Sequence, residues 1–289
     1  MRTLDEIRDE IRRQPLRGLI VTEAGREILR KPDLSRRFLV HSVAKSVTAL
    51  GVGFALQEGL LDLEETLADA FEEKLPLVAS RMEASGGADA AERQRAQLKK
   101  VRLKHLLSNT SGFHANFLTG FQRPYLEDDD WLTLCLSNPV TSEPGRVFLY
   151  CDANYYLIAK LLRRRTGLRL SEYLLPRLFA PLGLRYPTWE VDPEGDMIGC
   201  GGLLMNLDEL HQLGLLCLNG GKARGKRVVS QEWMDAVTKT RIPVPEGGGY
   251  GYGFWTAPDY CYMFGYGGVY SIFSHRYGLL ITADGLALS

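Results

Sequence analysis

The stretch HSVAKSVTAL, residues 41–50, sets Ser42 and Lys45 one helical turn apart inside a run that is otherwise almost wholly apolar. From residue 43 to residue 57 the side chains are apolar or small on nearly every face, which predicts a helix buried all round, ended at Gly59. An ammonium within such a helix is unfavourable unless the fold supplies it with partners. Two readings follow. In the first, Ser42 is an N-cap and Lys45 snorkels to the surface. In the second, Ser42 is a nucleophile and Lys45 its base, which requires a lysine pKa lowered by desolvation or by nearby positive charge. The helix N-terminus would then favour an oxyanion developing at Ser42. The pair alone does not choose between them.

Upstream, LRGLIVTEAGREILRK (16–31) predicts two strands around the turn Glu23-Ala24-Gly25, preceded by a charged helix over residues 3–13 with Leu4, Ile7 and Ile11 on one face. A loop through Pro32 and Asp33 follows the hairpin. Downstream, residues 79–98 are Ala-rich and charged around Gly86-Gly87 and lack a hydrophobic stripe, so an exposed insertion is expected there. Helices are predicted in VRLKHLL, in NYYLIAKLLRRRT before Gly167, and in LSEYLLPRLFAPL; Asn206 and Ser230 are expected to cap two more. From Tyr250 to Gly285 the sequence turns aromatic, β-branched and Gly-punctuated, the pattern of successive antiparallel strands. Strands near both ends with helices between them imply an α+β fold whose two ends share one sheet. One domain with two lobes is expected, a sheet-containing lobe from about 1–78 and 183–289 and a helical lobe from 79–182.

Thirty-five basic and 35 acidic residues leave a formal net charge of zero, which gives no field to recruit nucleic acid or an anionic membrane. No uninterrupted apolar run is long enough to span a bilayer, and the N-terminus lacks the pattern of a signal peptide. Five scattered cysteines without a C-x-x-C pair are expected to be reduced, in keeping with a cytoplasmic location. A small, nearly neutral substrate suits this composition.

Two further clusters carry chemistry. Tyr150 and Asp152 precede a helix, where a phenol could pass protons and a carboxylate could orient Lys45; a packing tyrosine and a helix cap are the plain alternatives. Gly267 and Gly268 interrupt a strand beside aromatic residues, which marks either the close approach of a ligand or a bend. The five histidines show no metal-ligand spacing, and there is no G-x-S-x-G elbow, P-loop or dinucleotide fingerprint.

Taken in order, these clusters resemble the serine β-lactamase and penicillin-binding-protein superfamily, most closely its class C β-lactamase and esterase branch. S-x-x-K is matched by Ser42 to Lys45, Y-x-N appears as Tyr150-Cys151-Asp152, and Tyr266-Gly267-Gly268 replaces K-T-G. LKHLLSNTSGF, EPGRVFLYCDANYYLIAKLL, APLGL, GGLLMNLDEL and YGYGFW are similar to flanking stretches of that family. The resemblance implies an antiparallel sheet flanked by helices with an inserted helical lobe. It implies Ser42 as the acylated nucleophile, Lys45 as proton acceptor, Tyr150 as the group exchanging protons with serine and leaving group, and the Ser42 and Val269 N–H groups as oxyanion hole. Asp152, Tyr266, Gly267 and Gly268 would face substrate, and no metal or organic cofactor is implied.

Two departures bear on substrate. Asp152 puts negative charge beside Lys45 and should favour the ammonium. Tyr266 removes the cation that pairs with a β-lactam carboxylate. The expected function is therefore hydrolysis of a small ester or amide through an acyl-enzyme. The alternatives are a β-lactamase, D-amino-acid peptidase or acyltransferase using the same serine, and a non-catalytic ligand-binding protein that keeps the fold. Loops around 113–131 and 186–200 should shape the pocket. The chain stops soon after GLLITADGLALS, leaving little room for the family's C-terminal helix, so the N-terminal helix is expected to cover that sheet face alone, with a homodimer contact over any apolar remainder.

Overall fold

The computed structural model describes residues 16–31, 36–245 and 247–285. The helix expected over residues 3–13 and the loop through Pro32 and Asp33 lie outside the described residues, as does the chain beyond Gly285.

The first hairpin forms as its turn signal predicts. β1 (Leu16–Glu23) and β2 (Arg26–Lys31) are joined by Ala24 and Gly25, both at positive φ, the geometry that matches the twist of paired strands. β3 (Phe38–Leu39), β4 (Thr188–Trp189) and β5 (Leu203–Met205) form a small sheet in the order β3-β5-β4. β6 (Lys222–Ala223) and β7 (Lys226–Arg227) form a separate ribbon. β8 (Ile242–Pro243), β9 (Gly249–Tyr250), β10 (Trp255–Thr256), β11 (Cys261–Gly265), β12 (Val269–Ser274) and β13 (Leu279–Gly285) complete the main sheet, whose order is β2-β1-β13-β12-β11-β10-β9-β8. The first and last strands pair antiparallel, from Leu16 opposite Gly285 to Glu23 opposite Leu279, so the two ends do share one sheet.

Period-two alternation decides which face of this sheet turns inward: in β12, Val269, Ser271 and Phe273 are buried while Tyr270 and Ile272 are partly exposed. The helix Leu207–Leu218 packs on the inner face, started by the Asn206 cap accepting from the Glu209 N–H. Gly214 allows the close fit, since a Cβ there would strike Ser271 and Leu280. From the same helix His211 bridges two strands, its Nε2 2.9 Å from the Thr22 hydroxyl and its Nδ1 2.9 Å from that of Thr282.

The helix Val43–Gln57 runs through the centre of the molecule and is buried from Val43 to Ala55. Its glycines admit neighbours that a side chain would exclude. Leu162, Leu170 and Leu174 close on Gly51, and the Trp233 ring lies against Gly53 with its Nε1 donating to the Ala49 carbonyl at 3.0 Å.

Residues 79–98 are exposed at most positions, as their composition suggests, yet they are helical and bury a side chain at intervals. They belong to two helices, Leu75–Gly86 and Ala88–Leu98, that meet at Gly87 and bury Val78, Met82, Ala91 and Leu98. Buried Gln94 does the work of a missing apolar residue: its Nε2 donates to the Leu136 and Asn138 carbonyls, and its Oε1 accepts from the Val140 N–H. Alanine and glutamine thus form a packed face that a hydrophobic pattern does not register. The five cysteines are unpaired, and no helix among the described residues is long and apolar enough to cross a membrane.

Candidate active site

Ser42 stands where the edge of β3 turns into the central helix. The Val40 N–H donates to the Leu203 carbonyl of β5, fixing the approach. His41 then takes φ +49°, a left-handed conformation uncommon outside glycine and a local strain held by the surrounding fold. Ser42 occupies the N-cap position, yet its side chain makes no cap hydrogen bond. Its Oγ accepts from Lys45 Nζ at 3.1 Å. The capping-serine reading therefore fails, and so does the snorkelling lysine, because Lys45 is 1% exposed.

All three Lys45 N–H groups are placed, donating to Ser42 Oγ, to Asp152 Oδ1 at 2.6 Å and to the Cys200 carbonyl at 2.8 Å. Nζ also lies 4.7 Å from the centroid of the Tyr150 ring. Burial works to lower the Lys45 pKa, but Tyr150 and Asp152 outweigh it and hold it well above the ordinary lysine range. At neutral pH Lys45 is an ammonium, as the carboxylate at position 152 led one to expect.

The segment bearing Tyr150 and Asp152 is fastened by Asn109 of the LLSNTSGF stretch, itself at φ +55°. Asn109 Oδ1 accepts from the Cys151 N–H and from Asn154 Nδ2, and its carbonyl accepts from the Leu149 N–H. One turn into the helix that follows, Tyr155 donates its hydroxyl to the Leu107 carbonyl at 2.6 Å. Asp152 opens the helix Asp152–Thr166, but its N–H goes to Asn116 Oδ1 and its carboxylate to Lys45, so it is not spent as a cap. Tyr150 stacks on Trp255, 5.6 Å between centroids and 18° from parallel.

Ser42, Tyr150, Asp152 and Tyr266 line one cavity of about 560 Å³. Gly267, Gly268 and Val269 are not among the lining residues. Tyr266 to Gly268 form the turn between β11 and β12, and Val269 opens β12 with its side chain fully buried. Of the two readings left open at Gly267 and Gly268 the structure shows the bend, both glycines lying in the turn at positive φ with open space at a Gly267 Cβ, while the close approach falls at Gly265, where a Cβ would strike the Val40 carbonyl.

Both loops expected to shape the pocket do so, and they bring residues that sequence reasoning did not single out. Asn116, Phe121 and Arg123 come from one, Glu190 and Cys200 from the other. Arg123 and Glu190 were detectable only as opposite charges in the two loops. His41, beside the nucleophile, is held neutral by burial, and burial pushes the Cys200 thiol up to about 12, so neither adds a charge to the cavity near neutral pH. At the rim, Phe121 and Tyr266, 77% and 63% exposed, meet edge to face.

The loop after Glu190 is built around Lys160. Its Nζ donates to Asp192 Oδ2 at 3.1 Å, Glu194 Oε2 at 2.6 Å and Asp196 Oδ2 at 2.7 Å. Asp192 also accepts from the Tyr156 hydroxyl and the Asp196 N–H. These three acids have the spacing to hold a cation, and the ammonium occupies their centre.

The family model described as Beta-lactamase matches residues 17–288 of the chain. Monacolin J acid methylbutanoyltransferase of Aspergillus terreus is 31% identical over 165 residues, 54% of this chain and 39% of that protein. The 6-aminohexanoate-dimer hydrolase of Paenarthrobacter ureafaciens is 41% identical over 91 residues, 31% of this chain and 23% of that protein. The chain thus spans well under half the length of these relatives. The crystal structure of penicillin binding protein from Bacillus halodurans superposes with a TM-score of 0.71 at 16% identity, covering 99% of this chain and 95% of that one.

Proposed function

Because the chain belongs to the beta-lactamase family, we propose that it is a serine hydrolase that forms an acyl-enzyme at Ser42 and acts on a small ester or amide. The observation that carries this reading is the Ser42 hydroxyl, free of any capping role, hydrogen-bonded to a buried ammonium at the wall of a ligand-sized cavity.

The charge state of Lys45 assigns the steps. An ammonium with all its protons engaged does not accept another, so Lys45 stabilises the developing serine alkoxide and Tyr150, beside it and reacting as the phenolate, takes the Ser42 proton to become the phenol. Ser42 Oγ bonds to the substrate carbonyl carbon. The Ser42 N–H makes no hydrogen bond to the described residues and serves the oxyanion, with the Val269 N–H as the proposed second donor. Collapse breaks the bond to the leaving group, which departs with the proton from Tyr150. Water then attacks the acyl-enzyme, Tyr150 takes its proton, and Ser42 leaves with that proton restored.

Tyr266 puts no cation at the turn where the resemblance places the partner of a β-lactam carboxylate, so nitrocefin turnover should fall far below that of simple activated esters. Likeness to a methylbutanoyltransferase favours a second reading, transfer of the acyl group to an alcohol or amine in place of water. Product analysis with and without such acceptors separates the two.

The test is intact mass after brief exposure to a fluorophosphonate and, separately, an activated ester. Adducts on the wild type and none on Ser42→Ala support the reading. No adduct on either protein would sink it in favour of a binding protein on this fold.

A further inference from the structure

Arg123 and Glu190, from the two loops that flank the cavity, pair directly in its lining. Arg123 opens the short turn Arg123–Tyr125, and Glu190 follows β4 directly. The guanidinium grips the carboxylate through two parallel bonds, Nε to Oε1 at 2.8 Å and Nη2 to Oε2 at 3.0 Å, while Nη1 donates to the Leu118 carbonyl at 2.9 Å. The two partners are unequally held. The Arg123 side chain is 11% exposed and anchored at its far end to Leu118, whereas that of Glu190 is 42% exposed.

A guanidinium has five N–H groups, and three are committed here; one on each Nη remains. Among the described residues lining the cavity, Arg123 is the one lysine or arginine. Lys45, set behind that lining, has no N–H left to give, and the rim residue Tyr266 carries no cation. Any anion on a ligand in this cavity has one cation with donors to spare. That cation already holds a carboxylate in the fork geometry that makes arginine selective for such groups.

We infer that Arg123 is the anion-recognition residue of this cavity, that Glu190 is its resident stand-in, and that the substrate is an ester or amide carrying a carboxylate that replaces Glu190 on the guanidinium. The substrate part of this inference rests on Ser42 being the acylated nucleophile. Exchange is easy because the departing carboxylate is the exposed partner and swings into water, whereas the guanidinium stays in place. A neutral substrate finds the ion pair closed and gains nothing from it. An anionic one trades carboxylate for carboxylate and keeps the bidentate bonds.

The test has two arms. In the first, calorimetry measures adipate and its neutral counterpart adipamide on Ser42→Ala, alone and combined with Arg123→Gln, Arg123→Lys or Glu190→Gln. Adipate should bind in preference to adipamide. That binding should weaken about tenfold or more with Arg123→Gln, recover in part with Arg123→Lys, and tighten with Glu190→Gln, which removes the competitor. In the second, 4-carboxyphenyl butyrate and mono-4-nitrophenyl suberate are each compared with their methyl esters. The ratio of kcat/KM for anionic over neutral ester should fall about tenfold in the Arg123→Gln enzyme.

A ratio unchanged by Arg123→Gln, with Ser42 acylated, would reduce the ion pair to a structural clasp and overturn this inference while leaving the hydrolase reading intact. Tighter binding of 1,6-diaminohexane than of adipate, lost in Glu190→Gln, would overturn it in favour of a cation site. An unreactive Ser42 with adipate binding that still depends on Arg123 would keep the anion site and overturn its assignment to an ester or amide.

Discussion

Asp152 Oδ1 lies 2.6 Å from Lys45 Nζ, closer than the 3.1 Å between that ammonium and the Ser42 hydroxyl. The carboxylate is among the causes holding Lys45 above the ordinary lysine range, so Asp152→Asn should lower the Lys45 pKa. If Lys45 works as an ammonium, the alkaline limb of kcat/KM moves to lower pH. If it works as a free base, the acid limb moves instead and activity at neutral pH rises. A pH–rate profile of the two proteins with an activated ester decides this, and the first outcome is expected.

The same contact has a stability side. Asp152→Ala leaves a buried ammonium without its counter-charge and should destabilise the fold by about 3–5 kcal/mol in urea denaturation. Replacing both partners, Lys45→Met with Asp152→Leu, should recover most of that loss while abolishing turnover. A double variant no more stable than Asp152→Ala would argue against the electrostatic account.

His211 makes stability depend on pH. Burial depresses its pKa to about 4, against an ordinary value of 6.5. Between these values the unfolded chain binds the proton first, so the contribution is complete above pH 6.5, declines as the pH falls towards 4, and levels off below. The full difference corresponds to about 3 kcal/mol. Urea midpoints measured from pH 7 to pH 4 should fall, and the fall should be shallower in His211→Gln.

Gly265 and Gly267, separated by Tyr266 alone, should behave differently. Gly265→Ala drives a Cβ into the Val40 carbonyl, displaces the backbone beside Ser42, and should lower kcat/KM by about a hundredfold. Gly267→Ala faces open space and meets only the strain of φ +81°, roughly 1–2 kcal/mol of stability. Comparing activity and urea midpoint for both variants checks the contrast.

The sheet was legible because β-strands write a period of two and Gly-rich turns punctuate it, and the central helix because its run of small and apolar residues admits no wet face. Ser42 and Lys45 were legible as a pair, but their roles were not, since capping and nucleophilic serines look alike until the hydroxyl's partner is known. Arg123 and Glu190 lie 67 positions apart in two irregular loops, and only tertiary structure brings them together. The helical hairpin at 75–98 was hidden because Gln94 satisfies backbone groups there, a task that leaves no apolar signature.

Lys160 gives the loop after Glu190 a particular independence. Where three converging acids are held together by an ion drawn from solution, the shape of the loop follows that ion's concentration. Here the chain brings its own counter-ion on the helix Asp152–Thr166, the one whose first residue pairs with Lys45. Because Asp192 is buried, dissolved salt screens the cluster weakly. The loop after Glu190 should therefore keep one shape in media that differ widely in calcium, chelator or ionic strength.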